Sequence, residues 1–169
     1  MSKNASRGDG PRTVPNPYAG HPDYRCFGCD PDNPTGLKLE FAIEGRRVIS
    51  HWQPRADLEG YPGVTHGGIL ATLADEVAAW YIHAVLGTAG MTRELSVTYH
   101  APALAEEGPF RVEAAAVEEG PKSALIEVTI SGRSGTLFCT ARCSFAVFSE
   151  AVARRRLDFP GREAFRPVD

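Results

Sequence analysis

Residues 64–86 read VTHGGILATLADEVAAWYIHAVL, and this stretch decides the fold. From about Gly68 to Leu86, the residues Ile69, Leu70, Leu73, Val77, Trp80, Tyr81 and Ala84 recur at three- and four-residue spacing, which predicts one long apolar helix. The small side chains of Ala71, Ala74, Ala78 and Ala79 let a sheet wrap closely around it, and Gly87 and Gly90 end it. The preceding segment, DLEGYPGVTHGG (57–68), is loop chemistry rich in Gly and Pro.

Working outward, LKLEFAIE (37–44) alternates Leu37, Leu39, Phe41 and Ile43 on one side and reads as a strand. RRVISHW (46–52) is its partner across a turn near Glu44-Gly45. Four strand-like segments follow the helix: RELSVTYHAP (93–102), FRVEAAAVEE (110–119), SALIEVTIS (123–131) and GTLFCTARCSFAVF (135–148). The connectors EEGP (106–109 and 118–121) and SGRSG (131–135) read as hairpin turns. A lone apolar helix cannot bury itself, so an antiparallel sheet of about six strands must curl around it, giving an α+β hotdog arrangement. Such a sheet keeps an edge and an uncovered face, which invites a homodimer or homotetramer.

The length of 169 residues favours one domain. Residues 1–25, rich in Gly, Pro, Asn and Ser, read as a flexible or loosely draped arm, 26–149 as the hotdog domain, and 150–169 as a C-terminal tail containing Arg154, Arg155 and Arg156. Arm and tail are net basic although the chain carries −3, so the body is acidic. That argues against a nucleic-acid surface, which carries a basic stripe, and an anionic ligand must be met by a few placed cations. No apolar leader or membrane-spanning run is recognised, so a cytoplasmic protein without a membrane partner is expected. Four cysteines are too few for a secreted disulfide scaffold of this size.

The segment from His66 to Asp75 resembles the H-G-G-x5-A-D signature of the hotdog-fold thioesterase superfamily, and TRELSVTYHAPA (92–103) resembles the strand that follows it there, opened by Thr or Ser and closed by Y-x-x-P. The likeness runs from about Cys26 to Phe148 and is nearest to the phenylacetyl-CoA thioesterase and thioesterase-superfamily-member branch. It implies an acyl-CoA or acyl-carrier thioester hydrolase with no cofactor, with Asp75 reaching a site shared between subunits, Thr92 placing a water, and Gly67 N–H as the oxyanion donor. Elementary chemistry agrees. Unpaired N–H groups at a helix N-terminus, flanked by Gly67 and Gly68, suit a developing oxyanion. A carboxylate among apolar neighbours is costly unless partnered or used, so Asp75 is a candidate general base or nucleophile. His66 is a candidate orienting residue or helix cap, and the neighbouring Glu76 is expected to serve the surface or a dimer contact. Where some relatives carry Asn or Gln six residues before the His, this chain has Gly60, with Glu59 and His51 as weak substitutes.

For the phosphates of coenzyme A, Lys122 is the first candidate by resemblance, with Arg93 and Arg133 behind it. An apolar acyl tunnel is expected beside Trp80, Tyr81 or Tyr61. CFGCDPDNPTGLKL (26–39) resembles the C-F-x-C-G-x-x-N-P-x-G-L-x-L opening of one hotdog subgroup, with Asp30 in place of Gly. A closed zinc site needs four ligands, and only His21 or the Cys139/Cys143 pair suggests itself to complete one. The expectation is buried or turn cysteines without a metal. Two other functions stay open: a non-catalytic acyl-thioester-binding protein, favoured by Gly60, and a hotdog dehydratase or hydratase, disfavoured because no Asp/His pair in that context is present.

Overall fold

The computed structural model describes residues 10–168, and residues 1–9 of the expected arm lie outside it. The helix is α1, Gly67–Tyr81, and its last turn widens to a π-turn over Ile82–Leu86 before Gly87 stops it at φ 71°. Its predicted face is the buried one: Leu70, Leu73, Val77, Trp80 and Tyr81 are enclosed, along with Ala74 and Ala78. Leu73 is fully enclosed, and truncating such a side chain to alanine costs about 2–5 kcal/mol. The span Gly67–Leu86 is apolar enough by composition to cross a membrane, yet here its apolar face packs on the sheet.

Around α1 curls an antiparallel seven-stranded sheet. Its strands are β1 (Arg12–Val14), β2 (Phe41–Glu44), β3 (Arg47–Trp52), β6 (Gly90–Tyr99), β7 (Phe110–Glu119), β8 (Ser123–Ser131) and β9 (Leu137–Val147), in the order β1-β2-β3-β7-β8-β9-β6. A small ribbon of β4 (Glu59–Tyr61) and β5 (Val64–Thr65) leads into the helix. This is the hotdog fold expected from the sequence, with one strand more.

The extra strand corrects the reading of the N-terminal arm. Arg12–Val14 pairs with Ile43–Phe41 and closes one sheet edge, and Val14 is buried. The C-terminal tail is also more than a tail. Helix α2 (Glu150–Leu157) is followed by Phe159 and Phe165, both buried and stacked against the His83 ring at 5.8 and 5.2 Å. The segment 37–44 alternates as expected, with Leu37, Leu39 and Phe41 buried, but only 41–44 joins the sheet. Lys38 takes a positive φ of 58°, and the N–H groups of Leu37 and Leu39 bond to Phe27 O and Gly28 O instead. The second EEGP and SGRSG are hairpin turns, linking β7 to β8 and β8 to β9. The first EEGP is not. It ends a crossover from β6, at the free edge, to β7, in the sheet interior.

Candidate functional site

The loop entering α1 is held by Thr65 N–H to Ala103 O and by His66 N–H to Leu58 O, both 2.9 Å. His66 is the N-cap, and its Nδ1 accepts from Gly68 N–H at 2.9 Å. In the neutral ring that bond leaves the proton on Nε2, so a donor faces away from the helix. It also corrects the expectation for Gly68, whose N–H is already engaged. The N–H of Gly67 has no acceptor among the described residues, as the first position of a helix requires. Tyr99 Oη donates to Gly67 O at 2.7 Å, and a Cβ at Gly67 would lie 3.2 Å from that hydroxyl. Tyr99, the tyrosine of the Y-x-x-P segment, therefore clamps the glycine turn, a role the sequence did not assign.

A cleft of about 630 Å³ opens here, lined by Tyr61, His66, Gly67, Leu70, Tyr99 and Pro102 among others. Of the aromatic residues expected along the acyl group only Tyr61 lines it. Trp80 and Tyr81 are buried in the chain's own core, Trp80 stacked on Phe41 at 3.9 Å and Tyr81 Oη bonded to Glu119 at 2.6 Å. Gly60 lines the cleft too, and a Cβ there would approach His66 Cδ2 to 3.2 Å, so the His66 ring occupies the space a larger side chain would need. Glu59 sits in the ribbon opposite Thr65, whereas His51 is exposed on the sheet face opposite Trp52, away from the helix.

Asp75 and Thr92, seventeen residues apart, meet: Thr92 Oγ1 donates to Asp75 Oδ1 at 2.8 Å. Neither lines the cleft. Asp75 lies eight residues along α1 from Gly67, about 12 Å of helix rise. Thr92 belongs to β6, the sheet's free edge, where Met91 and Tyr99 are 55% and 52% exposed, and Asp75 lies beside it. Arg93 is exposed at a bulge in this strand, with no ion pair among the described residues. Lys122 is not brought to the cleft within one chain. Its carbonyl accepts from Val147 N–H at the opposite end of the helix, beside the start of β6. Arg133 stands at the cleft end, on the turn tied to Glu107, and donates to Glu106 O. Arg154 is bound to Glu150 and to Pro160 O.

The structure corrects the expectation for Glu76. Its carboxylate turns inward to Cys26 Sγ (3.4 Å) and Trp80 Nε1 (3.2 Å), and Cys29 Sγ lies 3.4 Å from Cys26 Sγ. The bond from the Cys29 thiol, aided by backbone N–H groups, lowers Cys26 to about 5, while the partner thiol and burial raise Cys29. Burial, followed by the charge on Cys26, raises the Glu76 carboxyl to about 7. The sequence offered His21 or Cys139/Cys143 as companions of the CxxC, but His21 is exposed and bonded to Asp23 N–H, and the other two cysteines are buried in β9 against α1. Glu76 stands three residues after Leu73 and four before Trp80, so helix spacing puts it on the buried face, although its charge alone points to the surface.

Residues 62–143 match the family described as the Thioesterase superfamily. An uncharacterized protein of Schizosaccharomyces pombe is 36% identical over 61 residues, covering 36% of this chain and only 35% of its own length. A hypothetical thioesterase of Streptococcus pneumoniae, solved with coenzyme A, superposes with a TM-score of 0.56 at 23% identity over 62% of this chain and 82% of its own. The PaaI protein of Escherichia coli, from the phenylacetic acid degradation operon, gives 0.59 at 15% identity over 68% and 82%. The chain thus has the hotdog fold, and its residues 62–143, from the glycine loop into β9, match the thioesterase superfamily.

Proposed function

We propose that the protein hydrolyses acyl-CoA thioesters at a site assembled from two copies of the chain. The observation that carries this reading is the Thr92–Asp75 hydrogen bond beside a free sheet edge, within a matched thioesterase segment. Gly67 N–H and the Nε2 side of His66 polarise the thioester carbonyl, and Asp75, held by Thr92, takes a proton from the attacking water. The hydroxide adds to the carbonyl carbon, the C–S bond breaks to give the carboxylic acid, and the proton held by Asp75 passes to the leaving thiolate of coenzyme A, which restores the carboxylate. One carbonyl must lie about 3 Å from both the oxyanion donor and the water. Within one chain Gly67 and Asp75 are separated by about 12 Å of helix. A two-fold pairing that sets two α1 helices antiparallel brings Asp75 of one subunit to Gly67 of the other. Arg93, on the unpaired edge, is then a candidate for the phosphates, and the four free cysteines suit a reducing, cytoplasmic compartment.

Released thiol, followed for wild type and Asp75→Asn over a panel of acyl-CoAs, tests the reading. A loss of about 10²–10⁴-fold in kcat with unchanged circular dichroism supports it. Equal turnover in the two proteins overturns it. Gly60 favours a second reading, a non-catalytic acyl-thioester binder, and acyl-CoA binding without turnover in wild type selects that one.

A further inference from the structure

We propose that Cys26, Cys29 and Glu76 form a three-ligand site for a soft divalent cation, zinc foremost, with the fourth position open. The site lies outside the cleft and is independent of the thioesterase reading. One donor atom from each of these residues falls within 4.8 Å of the others. A zinc ion with Zn–S of about 2.3 Å and Zn–O of about 2.0–2.2 Å sets neighbouring ligands roughly 3.5–3.8 Å apart in a tetrahedron. Two of the distances here are 3.4 Å, between the two sulfurs and from Cys26 Sγ to Glu76 Oε1, and the third, from Cys29 Sγ to the Glu76 carboxylate, is within 4.8 Å, so the three donors close on a cation with movements on the order of an ångström or less.

The surroundings are arranged for anionic ligands. Cys29 N–H points at Cys26 Sγ (3.3 Å), Tyr24 Oη lies 2.8 Å from Cys29 Sγ, and Trp80 Nε1 reaches both Cys29 Sγ (3.4 Å) and Glu76 Oε1 (3.2 Å). Such outer donors orient ligands and tune a metal. No Lys, Arg or His among the described residues pairs with any of the three, so two sulfurs and a carboxylate converge without a cationic side chain. Asn16 Nδ2 fixes Cys29 O at 2.9 Å and Asn33 Nδ2 fixes Cys26 O at 3.3 Å, which holds the turn in place. Gly28 leaves room for the carboxylate beside the sulfurs, since a Cβ there would lie 2.4 Å from Glu76 Cδ. Two thiolates and one carboxylate are a zinc-type donor set, and three protein ligands leave a place for water or an external ligand. A bound ion would fasten the N-terminal segment to α1 at the residue after Asp75.

The test uses the full chain, purified with reductant and without chelator. Metal content by mass spectrometry should be about one zinc per chain, and Co²⁺ added to stripped protein should give thiolate charge-transfer and tetrahedral d–d bands. Cys26→Ser and Glu76→Gln should lose those bands, and Tyr24→Phe, which leaves all three ligands in place, should weaken zinc about 10–100-fold. Reduced wild type that binds neither ion, or Cys26→Ser that binds both as tightly as wild type, overturns the proposal. Should Cys26→Ser fail to fold, the Tyr24→Phe titration decides: unchanged zinc affinity counts against the site.

Discussion

Thr92 faces Asp75 because β6 carries one residue too many. Thr92 stands opposite Phe145 and Leu95 opposite Cys143, both partners buried on the helix side of the sheet. Three positions apart in a regular strand, Thr92 and Leu95 would point to opposite faces. The register shifts between Thr92 and Glu94, so Arg93 is absorbed in a bulge and Thr92 turns to the helix. The bulge therefore makes the 2.8 Å bond to Asp75 possible. Replacing Thr92 by Val keeps the shape and removes the donor. The expected result is a fall in kcat of up to about 10²-fold with KM nearly unchanged, read in the thiol-release assay. Deleting Arg93 should cost as much or more, since it would turn residue 92 to the outer face.

Gly28 predicts a local stability effect. Alanine there drives its Cβ into the Glu76 side chain, which is held by Cys26 and Trp80 and cannot swing freely. Overpacking of this kind costs about 1–3 kcal/mol. Thermal unfolding of Gly28→Ala should show Tm lowered by several degrees. The double variant Gly28→Ala/Glu76→Ala should be less destabilised than the two single effects added, because the clash partner is gone.

His83 gives a pH dependence with a definite sign. Tyr18 from the N-terminal segment, Trp80 from α1, and Phe159 and Phe165 from the C-terminal segment enclose its ring, and its hydrogen bond is to Thr88 O at 3.0 Å. Burial lowers its pKa, only partly offset by the Thr88 carbonyl. The folded protein thus keeps His83 neutral while the unfolded chain takes a proton below its ordinary pKa of about 6.5. Stability from this group is full above that value and falls as pH drops through it towards the folded pKa, by at most about 1.4 kcal/mol per pH unit. Glu76, with its raised pKa, titrates in the same region with the opposite sign. The check is therefore the difference in unfolding free energy between wild type and His83→Phe from pH 7.5 to 5.5 (a range of about two units around the ordinary pKa). The variant should gain on wild type as the pH falls, and a difference independent of pH would show that His83 protonates alike in both states.

The parts of this protein legible in the sequence are those set by periodicity. The helix face from Leu70 to Tyr81 and strands β7 and β8 follow from the spacing of apolar residues, since burial alone decides them. What the sequence hid depends on long-range contacts or single backbone angles. Arg12–Val14 has no pattern of its own and becomes a strand only because the β2 edge is available. Lys38 breaks an apparently continuous strand by taking a positive φ. The first EEGP looks like the second but joins strands that are not neighbours. Of the candidate site, Asp75, Thr92, His66 and Gly67 stand out in the sequence through the resemblance of their motif, while the Tyr99 clamp and the inward turn of Glu76 exist only once distant segments pack.

The separation of Gly67 from Asp75 along one helix yields the most discriminating prediction. Proline is tolerated at the first helical position, where its missing N–H breaks no helix bond, so Gly67→Pro removes the proposed oxyanion donor while α1 persists. The ring would press on Tyr99 Oη, the exposed end of a side chain that can yield. Gly67→Pro and Asp75→Asn should each be nearly inactive alone. If each site takes Gly67 from one chain and Asp75 from the other, a mixed dimer has one site with both defects and one with neither. Random pairing makes half of the dimers mixed, so co-expressed variants should regain about a quarter of wild-type activity. If both groups serve the same site from one chain, every site in every dimer carries a defect and the mixture stays inactive. Light scattering of the same samples completes the test, since a monomer of 18.2 kDa that still turns over would rule out the shared site whatever the mixture does.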